Sequence, residues 1–248
     1  MDTIGANLQA VRRRIATAAK ACGRNPENID LIAVSKTFGA DAVAAARAHG
    51  QHAFGENYAQ EALAKIAAVA PDPALGSLVW HFIGPIQSNK TRMIAEHFDW
   101  VHSIDRLKIA QRLSAARPAG LAPLQVCIEI NIGAEPGKSG VASGEALALA
   151  RAVTGLPRLK LRGLMAIPPA SPDDAQQRRY FAQLRQLKDA IVSAGVALDT
   201  LSMGMSDDLE AAIAEGATLV RVGTAIFGPR QKALATENTE DAEKPVES

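Results

Sequence analysis

Leu31-Ile32-Ala33-Val34-Ser35-Lys36-Thr37-Phe38-Gly39 reads as a buried strand that runs into a lysine and then breaks at once into a turn. A short apolar run carrying β-branched residues and closed by turn chemistry is the pattern of a strand covered on both faces. Solubility explains a lone lysine there poorly. Partial burial takes water from the ammonium, draws its pKa toward neutrality, and makes the amine a nucleophile able to hold an aldehyde as a Schiff base.

The pattern recurs along the chain. Strand-like runs at 30–36, 52–57, 79–84, 100–105, 124–132, 160–168, 200–204 and 218–224 alternate with segments at helical spacing at 41–49, 58–69, 90–96, 106–117, 143–153, 174–193 and 207–215. Alternating strands and helices predict a parallel sheet, and eight strands in 248 residues match the count and size of a closed (β/α)8 TIM barrel, an α/β fold. The alternative is an open doubly wound sheet, against which stands the lack of Gly-x-Gly-x-x-Gly after the first strand. An extra helix at 4–22 precedes the barrel. Residues 1–232 are expected to form one domain. Residues 233–248 are expected to be a disordered acidic tail, because Glu237, Glu240, Asp241, Glu243 and Glu247 face only Lys244 there, without periodicity.

Composition narrows the function classes. With 48% hydrophobic and 4% aromatic residues the core is aliphatic and small, which suits packed α/β layers. A formal net charge of +1 leaves no global field to attract nucleic acid or an anionic membrane. Cys22 and Cys127 have no metal-ligand spacing around them and read as free thiols, so no metal is expected. Arg12-Arg13-Arg14 is not followed by an unbroken apolar core, and no apolar stretch reaches membrane-spanning length. A soluble cytoplasmic protein is expected.

Closing a barrel sets the first strand beside the last, so Lys36 neighbours Arg221, Gly223 and Thr224. Side chains alternate along a strand, which groups Leu219, Arg221 and Gly223 as an inward-facing set. Both strands end at the C-terminal face, where such barrels carry their active sites and where the last two loops bind phosphate. Those loops read Ser202-Met203-Gly204-Met205-Ser206 and Val222-Gly223-Thr224-Ala225-Ile226-Phe227-Gly228. Glycines admit an anion close to the backbone, and Ser202, Ser206 and Thr224 offer hydroxyls. A Schiff-base lysine facing a phosphate cup specifies an aldehyde that bears a phosphate. Gly133-Ala-Glu-Pro-Gly137-Lys138-Ser139 imitates a nucleotide phosphate loop, but Ile132 stands where that pattern needs glycine.

At these residues the chain resembles the pyridoxal phosphate homeostasis protein family, single-domain relatives of the N-terminal barrel of alanine racemase. The resemblance covers residues 4–228 and rests on AVSKTF, FGENYAQE, WHFIGPIQSNK, VHSID, INIGAEPGKSG, GLMAIPP, LSMGMSDDLEAAI and VRVGTAIFG in that order. It implies that Lys36 carries pyridoxal 5′-phosphate as an internal aldimine, that Ser202, Gly223 and Thr224 hold the phosphate, and that Arg221 meets the pyridine nitrogen. Met203 and Gly204 contribute backbone in the same loop. Asn57, His81 and Met165 match motif positions at strand ends and would line the pocket. Lys138 would lie on a loop beside the mouth, where it could take part in cofactor handover. Read alone, Arg221 is equally an ion-pair partner for a strand carboxylate such as Glu129, and His81 equally a satisfied core histidine.

A guanidinium only donates, so a pyridine nitrogen bonded to Arg221 stays unprotonated and the ring is a weak electron sink. Racemisation also needs a second base opposite Lys36. The resemblance implies that racemases take it, a tyrosine, from a second domain, and the only tyrosines here are Tyr58 and Tyr180. The expected function is therefore intracellular storage, buffering or delivery of pyridoxal phosphate by a monomer, with apo-enzymes as acceptors and little turnover. The alternatives are a weak alanine racemase and a Schiff-base aldolase of the same barrel class.

Overall fold

Each apolar run pairs with the next in sequence order, and the last returns to the first. In the computed structural model, which describes residues 3–229 apart from 71, 74, 75 and 172, the result is a closed parallel barrel. Its strands are β1 (Asp30–Val34), β2 (Ala53–Glu56), β3 (Val79–Phe82), β4 (Trp100–Ile104), β5 (Leu124–Glu129), β6 (Leu159–Met165), β7 (Thr200–Ser202) and β8 (Leu219–Val222). Parallel pairing of β1 with β8, with Ile32 opposite Arg221 and Ala33 opposite Val222, excludes the open sheet. The acidic tail lies outside the described residues.

Around the barrel run α1 (Thr3–Ala21), α2 (Ala40–Ala48), α3 (Ala59–Val69), α4 (Thr91–His97), α5 (Leu107–Ala116), α6 (Ala146–Thr154), α7 (Asp174–Ser193), α8 (Leu209–Ala214) and α9 (Thr224–Phe227). α1 buries Leu8, Val11, Ile15 and Ala19, spaced three and four apart on one face. That stripe packs on α8 and α9. Arg24 ties the helix to the barrel's end by donating to Ile213 O and Ala217 O at 2.6 and 2.7 Å. Asn7 Nδ2 donates to Ile226 O at 2.9 Å and so fixes α9. The strand faces turned toward the helices are apolar, as in the contact of Phe54 with Trp80 at 5.7 Å.

The strands end earlier than the sequence predicts. β1 stops at Val34, two residues short of Lys36, because Thr37 takes φ 69 and turns the chain. The run predicted at 124–132 stops pairing as a strand at Glu129, and 218–224 ends at Val222 because Thr224 opens α9. In each case the run of strand-like residues carries on past the strand end into the turn, loop or short helix at the barrel mouth. The helix predicted at 143–153 begins with a 3-10 turn, Ser143–Glu145.

Candidate functional site

The turn after β1, the end of β2 and the loops after β7 and β8 converge at the C-terminal mouth. There Lys36, Asn57, Ser206, Arg221, Gly223 and Thr224 line one cavity of about 190 Å³. Arg221 lies opposite Ile32, four residues before Lys36, so the half-buried lysine stands above it at the rim. Gly223 matters for its missing side chain: a Cβ there would meet Val34 O at 3.1 Å and narrow the floor. Gly223 O already takes the N–H groups of Ile226 and Phe227. The N–H groups of Thr224 and Ala225 therefore head α9, where a helix has no intrahelical acceptors for them. Asn57 Oδ1 is buried with no hydrogen-bond partner among the described residues.

The barrel interior beneath the cavity is polar. Arg221 is 3% exposed and donates Nη1 to Ser202 Oγ at 2.6 Å and Nη2 to Ala166 O at 3.0 Å. Ser202 Oγ lies 2.7 Å from His102 Nδ1, and His102 Nε2 lies 2.9 Å from His81 Nδ1. β4 and β7 are not neighbours, so the bond between them crosses the barrel. Arg221 has no acceptor, so Ser202 Oγ accepts its N–H. The arrangement that leaves no hydrogen along the line without an acceptor has Ser202 giving its own hydrogen to His102 Nδ1. His102 is then protonated at Nε2 and donates to His81 Nδ1. Burial keeps both imidazoles neutral, with His81 pushed down to about 3 and His102 held well below its usual range. Burial also lowers the Arg221 guanidinium to about 10, which leaves it a cation at neutral pH.

The cavity thus takes Lys36, Asn57, Arg221, Gly223 and Thr224 from the sequence-derived set. Ser202, Met165, Met203 and Gly204 are buried below it, and His81 borders a different cavity. Gly204 serves the loop instead, at φ 95 and with its carbonyl accepting the Arg221 N–H at 2.9 Å. The second cavity, about 600 Å³, opens among the strand N-termini, between Asp30, His81 and Trp100. It is larger, but the C-terminal mouth is where barrels do chemistry and where the amine stands. The Arg221–Glu129 ion pair does not form; burial, and then the Asp105 charge, push the Glu129 carboxyl up to about 7. Sequence reading missed Ile83, Ile167 and Asp207 in the cavity wall. Their position just past β3, β6 and β7 was the signal.

These shifts give a pH test of the polar interior. Unfolded, His81 takes a proton near pH 6.5; folded, only near 3, so stability is lost as pH falls between those values. Glu129 opposes this between about 7 and 4.5, because there the folded state binds the proton first. A comparison with His81→Gln, which keeps an acceptor for His102 but does not titrate, isolates the histidine. Between pH 7 and pH 5 wild type should lose about 2 kcal/mol more unfolding free energy than the variant in urea titrations. Equal losses would mean that His81 is protonated in place.

Residues 6–231 match the family described as alanine racemase, N-terminal domain. The pyridoxal phosphate homeostasis protein of Pseudomonas aeruginosa is 60% identical over 230 residues, covering 93% of this chain and 97% of its own. That of Escherichia coli is 54% identical over 235 residues, covering 93% and 98%. Among solved structures, PipY from Synechococcus elongatus with PLP bound superposes with TM-score 0.80 at 36% identity, covering 91% of this chain and all of that one. Alanine racemase from Corynebacterium glutamicum, at 18% identity and TM-score 0.63, shares the fold over 62% of its length.

Proposed function

Because the chain belongs to the alanine racemase N-terminal-domain family, and within it to the pyridoxal phosphate homeostasis proteins, we propose that it binds pyridoxal 5′-phosphate on Lys36 and keeps that cofactor available to other proteins. The observation that carries the reading is a half-buried primary amine, a buried cation and a hydroxyl-flanked helix head around one cavity. These residues fit the group: the unpartnered Asn57 Oδ1 and the space left by Gly223 await a ligand, and the donors suit an aromatic ring with an anionic arm. When bound, pyridoxal phosphate supplies an aldehyde that a lysine amine takes up reversibly.

The chain's own residues then divide the work. Lys36 provides the amine. Thr224, Ser206 and the first N–H groups of α9 donate to the phosphate, while Ser202 supports Arg221 from below. Arg221 presents donors only, so the ring nitrogen it meets stays unprotonated and the bound ring withdraws electrons weakly. Racemisation needs a base opposite Lys36, and neither tyrosine lines the cavity: Tyr58 is 58% exposed outside it, and Tyr180 is on α7 in the outer layer. The one carboxylate among the described lining residues, Asp207, follows Ser206 in the loop read for the phosphate. Holding and releasing the cofactor is the work this site supports, with apo-enzymes as acceptors and the protein acting as a monomer. The two free thiols, Cys22 and Cys127, support a cytoplasmic setting, and no helix among the described residues is long and apolar enough to cross a membrane.

Incubation with pyridoxal phosphate should give a visible absorption band that borohydride fixes, with the label mapping to the Lys36 peptide. The loaded protein should then activate an apo-enzyme and leave the α-proton of alanine unexchanged. A wild type without band or label would sink the reading, and exchange at enzymatic rates would replace it with racemisation.

A further inference from the structure

Lys36 stands in a turn whose backbone is gripped on both sides by charged side chains. Ser35 O accepts from Lys65 Nζ at 2.7 Å, Ser35 Oγ donates to Glu56 Oε1 at 2.6 Å, and the Thr37 N–H donates to Glu61 Oε1 at 2.6 Å. Lys65 Nζ closes the set by donating to Glu56 Oε1 at 2.7 Å and Glu61 Oε1 at 2.6 Å. The FGENYAQE segment supplies both acids. Glu56 ends β2, while Glu61 and Lys65 are four apart on one face of α3.

Two physical costs meet here. Lys65 and Glu56 are 5% and 0% exposed, and burying such ions forfeits hydration that apolar residues of the same volume would not lose. Thr37, β-branched, sits at φ 69, in the left-handed region that such a residue adopts only under strain. A strained residue and a buried ion cluster flank the same lysine, which points from geometry to a task.

We propose that Lys65, Glu56 and Glu61 are positioning residues that lock the 35–37 turn in the shape that keeps Lys36 on the cavity before any ligand arrives. This rests on the reading of Lys36 as the cofactor-bearing lysine. Preforming the turn removes an ordering step from attachment, so the clamp acts on rate and affinity without touching the cofactor.

Glu61 is the place to test it, because it is half-exposed and its loss leaves the Lys65–Glu56 pair intact. Glu61→Ala removes the acceptor for the Thr37 N–H, whereas Glu61→Gln keeps a carbonyl at the same reach. Borohydride trapping over a time course should show Glu61→Ala labelling Lys36 about tenfold more slowly than wild type, and Glu61→Gln within about twofold. Lys65→Met, which strands two carboxylates, should be slower still if it folds. Hydrogen exchange of the Thr37 amide reads the turn without cofactor: protection in wild type and Glu61→Gln, lost in Glu61→Ala, supports the clamp. Labelling at the wild-type rate in folded Glu61→Ala, or a Thr37 amide equally protected there, overturns it. A wild type that protects Thr37 yet takes no label overturns the reading of Lys36 and leaves the clamp standing.

Discussion

Arg221→Met is expected to weaken pyridoxal phosphate binding by about a hundredfold while lowering the unfolding free energy by only about 1–2 kcal/mol. The two effects separate because Arg221 carries opposing contributions to stability. Holding the guanidinium charged in the barrel costs the fold: burial pulls its pKa from 12.5 to about 10, which corresponds to about 3 kcal/mol at neutral pH. Methionine removes that penalty and fills similar space. Against this, Ala166 O and one lone pair of Ser202 Oγ lose their donor, and each orphaned buried acceptor costs about 1–3 kcal/mol. The sums nearly cancel. Nothing cancels the loss of the cation from the cavity, where it is proposed to meet the ring nitrogen through a charge-assisted hydrogen bond. Equilibrium titration of cofactor absorbance and urea unfolding of the same preparations measure both sides. Affinity within about threefold of wild type would remove Arg221 from the binding machinery. The variant also frees Ser202 to rotate, so the single tautomers imposed on His102 and His81 should give way to mixtures visible in imidazole nitrogen NMR.

How much of this was legible in the sequence depends on how local the cause is. Alternating strands and helices are local patterns, so the barrel could be read outward from Leu31–Lys36, and closure brought Lys36 and Arg221 to one cavity. Strand ends were overrun because an apolar run does not announce where its partner stops. Ser202 carried a loop hydroxyl in the sequence, and only the bond across the barrel to His102, a hundred residues away, turns it into support for Arg221. Lys65 sits in the sequence as a lysine within a helical segment that carries no motif chemistry of its own. Its burial follows from the way α3 packs beside the turn after β1, a relation no spacing rule encodes. Ile83, Ile167 and Asp207 belong to no motif chemistry and become cavity wall only through their place at strand ends.

Gly163→Ala is expected to destabilise the protein by about 3 kcal/mol and to lower Tm by about 10 °C. The register between β5 and β6 shifts after Val126, so Cys127 pairs with Gly163 rather than with residue 162. At that point β7 passes so close that a Cβ on Gly163 would lie 1.8 Å from Thr200 O and 2.6 Å from Thr200 C. Both are backbone atoms, held by the pairing of Gly163 with Thr200 and of Met165 with Ser202, so no side-chain rotation can relieve the clash. One of the two strands must slide. Ser202 and Ala166 O are the groups that receive Arg221, and they lie on β7 and just beyond β6. A slide therefore pulls apart the two anchors of the buried cation, and cofactor affinity should fall together with stability. Gly155→Ala is the matched control, because its Cβ would find only Ala152 O at 3.7 Å and its φ of −78 suits any residue. That change should stay within about 0.5 kcal/mol of wild type. If calorimetry finds the two variants equally stable, β6 and β7 are not held in the close contact on which the Arg221 anchor depends.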